Sequence, residues 1–352
     1  MTGKIIGTGA CVPDKVVSND DLSKIVDTND EWIRERTGIV RRHIISGEET
    51  TVTLAAEAGK RALNMGGIAA KELDMILLSS ISSNVILPCT ACAVQRLIGA
   101  VNAVCYDLNA ACSGFVFAYN AAQAHIMSGM CNTVLVIGAD CLSDLTNWKD
   151  RSSCILFGDG AGAVVLQAAE GVPFAFAMHS DGQRGGSITC QSRHQNNCPP
   201  LEETYMKMDG KEIFKFSSTK VPAVLHELLE KVSMKPEEID AYFLHQANGR
   251  IIEIIAKKMG LDLSKFPMNV AEYANTSSGT IPILSSSIRS FSATEPRRAA
   301  ISTAPAGARS LITRSLTKSR RKRAAFRRPL STKPSPRSSA TSPTTFTWTS
   351  LG

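Results

Sequence analysis

Residues 103–114 of this 352-residue chain read Ala103-Val-Cys-Tyr-Asp-Leu-Asn-Ala-Ala-Cys-Ser-Gly114, and this stretch decides the fold. Its first half is an apolar run typical of a strand, and its second half is a series of small residues. Small residues allow a sharp turn and a close approach of other groups to the backbone. A helical pattern follows from about Phe115 to Met130. We therefore expect a strand, a tight turn and a helix, with Cys112 at the helix start.

Strand and helix patterns alternate on both sides of this stretch. The box Thr28-Asn-Asp-Glu31 predicts a helix start, and Gly38 can end that helix. The other predicted elements are strands at Met75–Leu78, Thr133–Gly138 and Ala163–Leu166, a helix at Thr90–Ile98, and a turn at Gly158–Gly162. Alternation of this kind favours an α/β protein whose sheet carries helices on both faces.

A weak internal repeat connects distant parts of the chain. The segment Asp74–Ser80 resembles Asp240–Gln246, and both precede a predicted helix. The strand, turn and helix around Cys112 resemble the segment Pro267–Gly279. Similarity at this separation indicates two related halves rather than a solenoid.

The repeat predicts two similar half-domains. Residues 1–170 form the half that carries Cys112, and residues 171–284 form the half that carries His245 and Asn275. If the halves pack about a pseudo-twofold axis, these three polar residues lie near strand ends and face one cleft. Clefts outside the carboxyl ends of strands are where α/β proteins bind ligands.

Residues 285–352 differ in composition from the rest of the chain. This segment is rich in Ser, Thr, Arg and Pro and carries 14 Lys/Arg against one acid, whereas residues 1–284 carry 25 against 31. The net charge of +7 therefore comes from this segment alone. Low hydrophobicity with high charge predicts a basic tail that is disordered or read out of frame.

The N-terminus gives no sign of export. Residues 1–7 lead into an apolar strand-like run, without the basic and long apolar regions of a signal peptide. No apolar run is long enough to span a bilayer. We expect a soluble, cytoplasmic protein with no membrane partner.

The ten cysteines show no spacing typical of a disulfide framework or a metal site. Cys89-Thr-Ala-Cys92 is the one CxxC pair, and no second pair of cysteines or histidines completes a zinc set. We expect no bound metal, and mostly small buried thiols that stay reduced.

Three polar residues have contexts that suit catalysis. Cys112 lies at the predicted start of a helix, where the helix N-terminus stabilises a thiolate and lowers the pKa of the thiol. A cysteine becomes a nucleophile near neutral pH in this way. His245 follows the apolar run Tyr242–Leu244, and Asn275 lies in a predicted turn. Each residue alone also fits a structural role, as a buried thiol, a hydrogen-bonded histidine or a turn former.

Five motifs in a fixed order carry a family resemblance: Asp30–Gly38, Asn109–Phe115, Phe157–Ala163, His245–Asn248 and Asn275–Pro282. Together they resemble the β-ketoacyl-acyl carrier protein synthase III family, whose members start bacterial type II fatty acid synthesis. The resemblance runs from the first strand to about Leu284. It implies a thiolase-like fold in which two sheets are sandwiched by helices in αβαβα layers.

The resemblance also implies a reaction. Cys112 would take an acyl group, usually acetyl, from a short acyl-coenzyme A, which is a substrate and not a cofactor. Malonyl-acyl carrier protein would then lose CO₂, and His245 Nε2 and the Asn275 amide would donate hydrogen bonds to the enolate oxygen. Attack on acyl-Cys112 would release a 3-oxoacyl-acyl carrier protein. The family further implies a homodimer.

Other positions are assigned by the same match to substrate contacts. Trp32 and Arg151 resemble the pair that holds the adenine of coenzyme A, with Arg36 and Thr37 beside them. Asn248 resembles a residue near the pantetheine tunnel. The match also assigns a basic patch for the acidic carrier protein to Arg250, Lys257 and Lys258, although these residues also fit a solvated helix face. It assigns Leu87 to the acyl pocket, where family members usually have Phe.

The family pattern stops before the end of the chain. After the Asn275 motif, members continue with a helix, two strands and a Gly-Gly-Gly loop, none of which is visible in residues 285–352. We therefore expect an incomplete second half, and we hypothesise a frame disruption near residues 284–286 that translation of the other reading frames would check. Uncovered strands and a missing oxyanion donor would leave the chain poorly folded or inactive. Condensation by the chain as written would refute this expectation.

Two other functions fit parts of the sequence. The first is a non-catalytic thiolase-fold protein whose basic stretch, Lys318–Arg328, binds nucleic acid or another polyanion in a salt-sensitive way. Basic tails are more often solvated, so we do not expect a nucleic-acid partner. The second is a related acyltransferase that uses a different primer, which mass spectrometry of acylated Cys112 would distinguish.

Overall fold

The computed structural model describes residues 1–172, 174–192 and 200–288, and the backbone of two further strands at Ala299–Ser302 and Leu311–Thr313. All of these residues belong to one compact unit that spans residues 1–316. The tail predicted from residue 285 onward, including its basic stretch, lies mostly outside the described residues. The division into half-domains at residue 170 stays a prediction.

The helices and strands follow the predicted alternation. The helices are α1 (Asn19–Leu22), α2 (Asp30–Thr37), α3 (Thr51–Gly66), α4 (Thr90–Ile98), α5 (Gly114–Met127), α6 (Arg151–Cys154), α7 (Gly210–Lys231), α8 (Gly249–Met259), α9 (Val270–Tyr273) and α10 (Thr280–Ser287). The strands are β1 (Thr2–Cys11), β2 (Val16–Ser18), β3 (Arg41–His43), β4 (Met75–Ser79), β5 (Val104–Leu108), β6 (Thr133–Cys141), β7 (Asp159–Ala169), β8 (Phe174–Phe176), β9 (Ile188–Thr189), β10 (Lys207–Met208), β11 (Ala241–Leu244), β12 (Ala299–Ser302) and β13 (Leu311–Thr313).

The first sheet has five strands in the order β1-β7-β6-β4-β5. Strand β4 runs parallel to β5 and β6, whereas β7 is antiparallel to both β6 and β1. Every residue of β4 and β6 is buried, because helices cover both faces of the sheet. The continuous apolar runs in the sequence reflect this two-sided burial.

The second sheet has the order β11-β12-β13-β8. Strand β11 pairs in parallel with β12, and the other two pairings are antiparallel. Residues beyond Leu284 show no strand pattern, so the expectation that no strands follow Leu284 was wrong: β12 and β13 lie there. Whether the second half is otherwise complete depends on residues outside the described ranges.

Three apolar clusters stack helices and sheets in layers. Helices α3 and α4 cover the outer face of the first sheet. Helices α5 and α10 lie between the sheets, where Phe115, Tyr119 and Ile281 share a cluster with Val136 of β6 and Phe243 of β11. Helices α7 and α8 pack on the other face of β11. The predicted mixed α/β fold is confirmed, and the order of its layers is αβαβα.

Two local predictions were wrong. The N-cap of α2 is Asn29 rather than Thr28, since the Asn29 side chain accepts a hydrogen bond from the Trp32 N–H at 2.8 Å. The predicted turn at Gly158–Gly162 is mostly strand, because β7 begins at Asp159. Its glycines serve packing instead: a Cβ on Gly162 would lie 2.5 Å from the Ile283 nitrogen, so α10 could not pack against β7.

One cation is fully buried near the start of the chain. Arg42 on β3 donates to Asn19 Oδ1 at 2.9 Å, to the Val17 carbonyl at 3.2 Å and to the Ile155 carbonyl at 3.0 Å. Burial lowers the pKa of its guanidinium to about 10, so the group stays charged at neutral pH. Arg42 thereby ties the N-terminal strands to the segment that precedes Phe157.

Replacing Arg42 with methionine would remove the side-chain donor that these three acceptors share in the interior. We expect Arg42→Met to lower the free energy of unfolding by about 3 kcal/mol, measured by urea denaturation. The matched control is Arg41→Met, because Arg41 is half exposed and its contact with Glu272 is a surface ion pair. Equal losses in the two variants would show that Arg42 does not hold the fold together.

Among the described residues, no helix combines the length and apolar character needed to cross a bilayer. The cytoplasmic location stays a prediction.

Candidate active site

Cys112 lies in a tight turn between β5 and α5, as the small residues predicted. The turn is a 3₁₀ segment at Ala111–Ser113, and α5 begins at Gly114, directly after it. Ala111 has a φ of 47°, a left-handed conformation that is rare for residues with a Cβ atom. Such strain is often found where the chain presents a functional side chain. Cys112 itself is buried.

The pKa of Cys112 differs from the expectation. Burial raises the pKa of the thiol to about 12, and a negative charge on nearby Asp140 would add to the rise. The adjacent Ser277 hydroxyl and a backbone hydrogen bond act in the opposite direction but do not compensate. The prediction of a lowered pKa was wrong because it considered the helix N-terminus and not the desolvation of the sulfur. The resting group is therefore a thiol.

His245 follows directly after β11 and is buried. Its Nδ1 atom lies 2.7 Å from Thr280 Oγ1, and Nε2 has no hydrogen-bond partner among the described residues. Burial lowers the pKa of His245 to about 3. The ring is therefore neutral at physiological pH.

Asn275 is fixed by its backbone and by one side-chain contact. Its N–H donates to the Leu156 carbonyl at 3.0 Å, and its carbonyl accepts from the Gly158 N–H at 3.1 Å. Its Oδ1 accepts from the Ser277 N–H at 2.9 Å. The side-chain NH₂ is therefore the end that can donate to a ligand.

A single turn, residues 275–280, connects all three predicted catalytic residues. Asn275 begins it, Ser277 contacts the Cys112 thiol, and Thr280 holds His245. Thr280 Oγ1 also lies 3.1 Å from the Ser277 carbonyl. The turn therefore contacts both Cys112, which precedes α5, and His245, which follows β11.

A cavity of about 880 Å³ opens above this turn. Its residues come from both halves of the chain and include Asn109, Cys112, Asn275, Ser277, Asn248 and Phe214. His245 is not among the lining residues, although Ala247 and Asn248, which follow it closely, are. Cys112 and Asn275 thus share one space, large enough for an acyl chain on a pantetheine arm.

Asp140 is a site residue that the sequence analysis missed. This carboxyl at the end of β6 is completely buried, and its partners come from the 80–82 loop and from Ser278. Ser277 contacts both Asp140 and Cys112 without a well-aligned hydrogen bond to either. No motif indicated Asp140, because its partners lie on two segments that are far from it in the sequence.

The predicted adenine-binding residues form a cluster at the surface. The guanidinium carbons of Arg36 and Arg151 both lie 5.0 Å from the centre of the Trp32 ring. Asn248 caps α8 and donates from Nδ2 to the Arg36 carbonyl at 2.9 Å, which joins this cluster to the cavity. Thr37 is not part of it, because its buried hydroxyl donates to the Ile33 carbonyl at 2.7 Å.

The other predicted contacts lie on the outside. Arg250 on α8 is exposed, with its guanidinium carbon 5.9 Å from the centre of the Phe214 ring. Lys257 is exposed on the same helix, and Lys258 donates to the Ser218 carbonyl of α7 at 2.9 Å. Leu87 is 83% exposed and does not line the cavity of its own chain.

The described part of the chain contains no group of three or more His, Cys, Asp or Glu side chains arranged to hold a metal ion. Cys89 of the CxxC pair is the N-cap of α4, and Cys92 lies between Cys89 and Cys105. Asp107 already accepts the Thr90 and Ala91 N–H groups of that helix N-terminus, both at 2.7 Å. An anion there leaves little stabilisation for a thiolate.

Comparison with known proteins gives one consistent family. The model for 3-oxoacyl-[acyl-carrier-protein] synthase III matches residues 106–182, and the model for its C-terminal part matches residues 216–308. The second match continues past Leu284, where we had expected the resemblance to end. Curated relatives called beta-ketoacyl-[acyl-carrier-protein] synthase III include one from Streptococcus mutans, 46% identical over 287 residues, and one from Lactococcus lactis, 45% identical over 288.

These alignments cover 80% of this chain and 88% of each relative. Solved structures agree with them. The 3-oxoacyl-[acyl-carrier-protein] synthase III from Aquifex aeolicus matches with a TM-score of 0.83 and 38% identity, covering 89% of this chain and 99% of its own. The priming β-ketosynthase of the R1128 polyketide pathway matches with a TM-score of 0.82 and 30% identity, covering 88% and 96%.

Proposed function

Because the chain belongs to the β-ketoacyl-[acyl-carrier-protein] synthase III family, we propose that Cys112, His245 and Asn275 carry out its reaction. The chain is an acyltransferase of fatty acid synthesis and performs the initiating condensation. The observation that carries the residue assignment is the 275–280 turn, which contains Asn275 and contacts both Cys112 and His245, next to the cavity that Cys112 and Asn275 line. Acyl-coenzyme A and acyl carrier protein are the substrates of this reaction.

The first half-reaction takes place at sulfur. The Cys112 thiolate attacks the carbonyl carbon of an acyl-coenzyme A, the bond to coenzyme A sulfur breaks, and an acyl-Cys112 thioester remains. Coenzyme A leaves as a thiol with the proton lost by Cys112. Since burial keeps Cys112 protonated at rest, this proton must leave as the substrate binds.

The second half-reaction forms the carbon–carbon bond. Malonyl-acyl carrier protein loses CO₂, and the electron pair of the broken bond moves into an enolate. His245 Nε2–H and the Asn275 side-chain NH₂ donate hydrogen bonds to the enolate oxygen, in a buried site where such bonds are strong. The enolate carbon then attacks the acyl-Cys112 carbonyl, and Cys112 leaves as a thiolate.

Thr280 decides which nitrogen of His245 carries the hydrogen. Its hydroxyl has one hydrogen and lies 2.7 Å from His245 Nδ1 but 3.1 Å from the Ser277 carbonyl. The Thr280 hydrogen can be donated to the Ser277 carbonyl or to Nδ1, and we assign it to Nδ1 because the enolate needs a donor at Nε2. Nε2 is then the donor that the enolate requires.

Replacing Thr280 with valine removes this donor at nearly constant volume. We expect Thr280→Val to slow decarboxylation of malonyl-acyl carrier protein by about 10²-fold, because the ring no longer prefers the Nε2–H tautomer. Acylation of Cys112 should change little, and Thr280→Ser should restore decarboxylation. Release of labelled CO₂ and the mass of the acylated protein measure the two steps separately.

A matched control is Thr276→Val, since Thr276 is also buried and its hydroxyl has no hydrogen-bond partner among the described residues. If Thr276→Val slows decarboxylation as much as Thr280→Val, or if Thr280→Ser fails to restore it, the tautomer assignment is wrong.

Substrate binding extends along the surface that leads to the cavity. We assign the adenine of coenzyme A to Trp32 and Arg151, with Arg36 beside them, and the pantetheine arm to Asn248. The stacked guanidinium groups on Trp32 and the bond from Asn248 to the Arg36 backbone support this path.

The acidic carrier protein would dock on α8. Arg250, Lys257 and Lys258 place positive charge on this helix, and its first turn lines the cavity. Raising the salt concentration should increase KM for the carrier-protein substrate more than KM for acyl-coenzyme A.

We also propose a homodimer. Strand β5 is at an edge of the first sheet, and Val104 on it is 61% exposed. Ile86 and Leu87 are exposed on the loop that precedes α4, at 63% and 83%. Apolar residues at an unpaired strand edge favour association with a second copy, which could place Leu87 in the partner's acyl pocket. A single sedimenting species with the mass of one chain would contradict this.

The function is tested by incubating the full chain with acetyl-coenzyme A and malonyl-acyl carrier protein. We expect 3-oxobutanoyl-acyl carrier protein, coenzyme A and CO₂ in equal amounts. The predicted loss of a C-terminal oxyanion donor would appear as condensation about 10²–10³-fold slower than that of the Streptococcus mutans relative. Carrier protein that gains no carbon in the presence of folded chain would contradict the proposal.

A further inference from the structure

Asp140 is a buried carboxyl for which the reaction has no obvious use. Its Oδ1 accepts hydrogen bonds from Ser80 Oγ at 3.1 Å, from the Ile81 N–H at 2.8 Å and from Ser82 Oγ at 2.9 Å. Its Oδ2 lies 2.9 Å from Ser278 Oγ and 3.3 Å from the Ser278 nitrogen. The donors to Oδ1 suit a neutral carboxyl group as well as a carboxylate, because Oδ1 accepts in both forms.

The Ser278 hydroxyl distinguishes the two forms. Ser278 Oγ lies 2.9 Å from Asp140 Oδ2 and also 2.9 Å from the Ser79 carbonyl oxygen. A hydroxyl has one hydrogen, so it cannot donate fully to two acceptors. If Oδ2 carries a proton, Oδ2–H donates to Ser278 Oγ and Ser278 O–H donates to Ser79. Each of the two 2.9 Å contacts then has its own hydrogen, and both buried acceptors receive a full hydrogen bond.

The internal repeat places Ser278 opposite the nucleophile. Ala111 and Ser277 have φ values of 47° and 50°, and each begins a 3₁₀ turn that leads directly into a helix, α5 in one half and α10 in the other. Cys112 and Ser278 are therefore equivalent positions of the two halves. Asp140 binds Ser278 directly and reaches Cys112 through contact with Ser277.

The charge of Asp140 matters for Cys112. A carboxylate there opposes formation of the Cys112 thiolate, because both would be buried anions in one low-dielectric region. Cys141 is the next residue on β6, and the charged groups that act on it are Asp159, Asp140 and Asp144. None of these three described groups is a cation that could offset a second negative charge.

We propose that Asp140 is a neutral carboxylic acid in the resting protein, with its Oδ2–H donated to Ser278 Oγ. In this form Asp140 is a positioning residue: it holds the 275–280 turn in place and adds no negative charge beside the nucleophile. Burial also raises the pKa of Asp140, although its hydrogen-bond donors act against the rise. The inference about Cys112 depends on the proposed function, whereas the protonation state of Asp140 does not.

Infrared spectroscopy reads that protonation state directly. We expect the wild-type spectrum at pH 8 to contain the carbonyl stretch of a protonated carboxylic acid, and Asp140→Asn to remove it. Asp159→Asn is the control, because burial raises the pKa of Asp159 only to about 6, so it is ionised at pH 8. A wild-type spectrum with no acid band lost in Asp140→Asn would overturn the proposal, whatever the enzymatic activity.

The rate of Cys112 alkylation by iodoacetamide at pH 8 gives a second readout. Asparagine resembles the neutral acid in shape, charge and the ability to donate to Ser278. We therefore expect Asp140→Asn to leave this rate unchanged. If Asp140 were ionised at pH 8, removal of its charge would raise the rate about tenfold or more, because more of Cys112 would be thiolate.

Ser278→Ala tests the same contact if Asp140→Asn does not fold. Without the Ser278 oxygen, the Asp140 proton loses its acceptor, and the acid band should move to higher frequency. An acid band that stays at the same frequency in Ser278→Ala would contradict the assigned hydrogen bond and overturn the proposal.

Discussion

Replacing Cys112 with alanine abolishes transfer of the acyl group to the protein and slows condensation by about 10⁴-fold or more. The thioester on Cys112 is the only covalent link between the two half-reactions. Without it the reaction has no pathway, whereas other substitutions remove one stabilising interaction. Intact-protein mass spectrometry after incubation with acetyl-coenzyme A should show no added acetyl group. Malonyl-acyl carrier protein should still lose CO₂, since His245 and Asn275 remain in place.

The matched control is Cys131→Ala, because Cys131 is another buried free thiol, 5% exposed against 8% for Cys112. It lies in the apolar cluster between the sheets and away from the cavity. Cys131→Ala should keep both the acetyl adduct and condensation. An acetyl adduct that persists in Cys112→Ala would mean that another residue is the nucleophile.

Replacing Asn275 with alanine should slow decarboxylation and leave acylation of Cys112 intact, the reverse of the effect of Cys112→Ala. We expect decarboxylation of malonyl-acyl carrier protein to slow by about 10²–10³-fold, because one of the two donors to the enolate oxygen is lost. Cys112 should still accept an acetyl group. His245→Ala should show the same separation. Labelled CO₂ release and the mass of the protein adduct are compared in each variant.

Asn120→Ala is the control for the effects of Asn275→Ala on decarboxylation and on acylation of Cys112. Asn120 is buried to the same degree as Asn275, at 7% and 6% exposure, and both ends of its amide lack a hydrogen-bond partner among the described residues. It lies on α5 and does not line the cavity. If Asn275→Ala decarboxylates as fast as Asn120→Ala, the enolate is stabilised by other groups.

The parts of the site that a contiguous motif describes could be predicted from the sequence. The small residues around Cys112 predicted a strand, a turn and a helix, and the structure has them at Val104–Leu108, Ala111–Ser113 and Gly114–Met127. The apolar runs at β4 and β6 gave the buried strands, since continuous burial leaves a continuous apolar pattern. The cluster around Trp32 could be predicted only from the family resemblance.

The parts that depend on tertiary contacts could not be predicted. Asp140 has no motif, because its partners come from the 80–82 loop and from Ser278, far away in the sequence. The raised pKa of Cys112 follows from burial, which the position of a helix N-terminus does not reveal. The glycines of β7 were read as a turn, although their role is to let α10 approach the strand.

The most direct test of the account is a chase experiment on the full chain. Protein incubated with labelled acetyl-coenzyme A is digested, and the label should be on the peptide that contains Cys112. Addition of malonyl-acyl carrier protein before digestion should remove the label and transfer it to 3-oxobutanoyl-acyl carrier protein. Label on a different residue, or label on Cys112 that malonyl-acyl carrier protein cannot remove, would contradict the account.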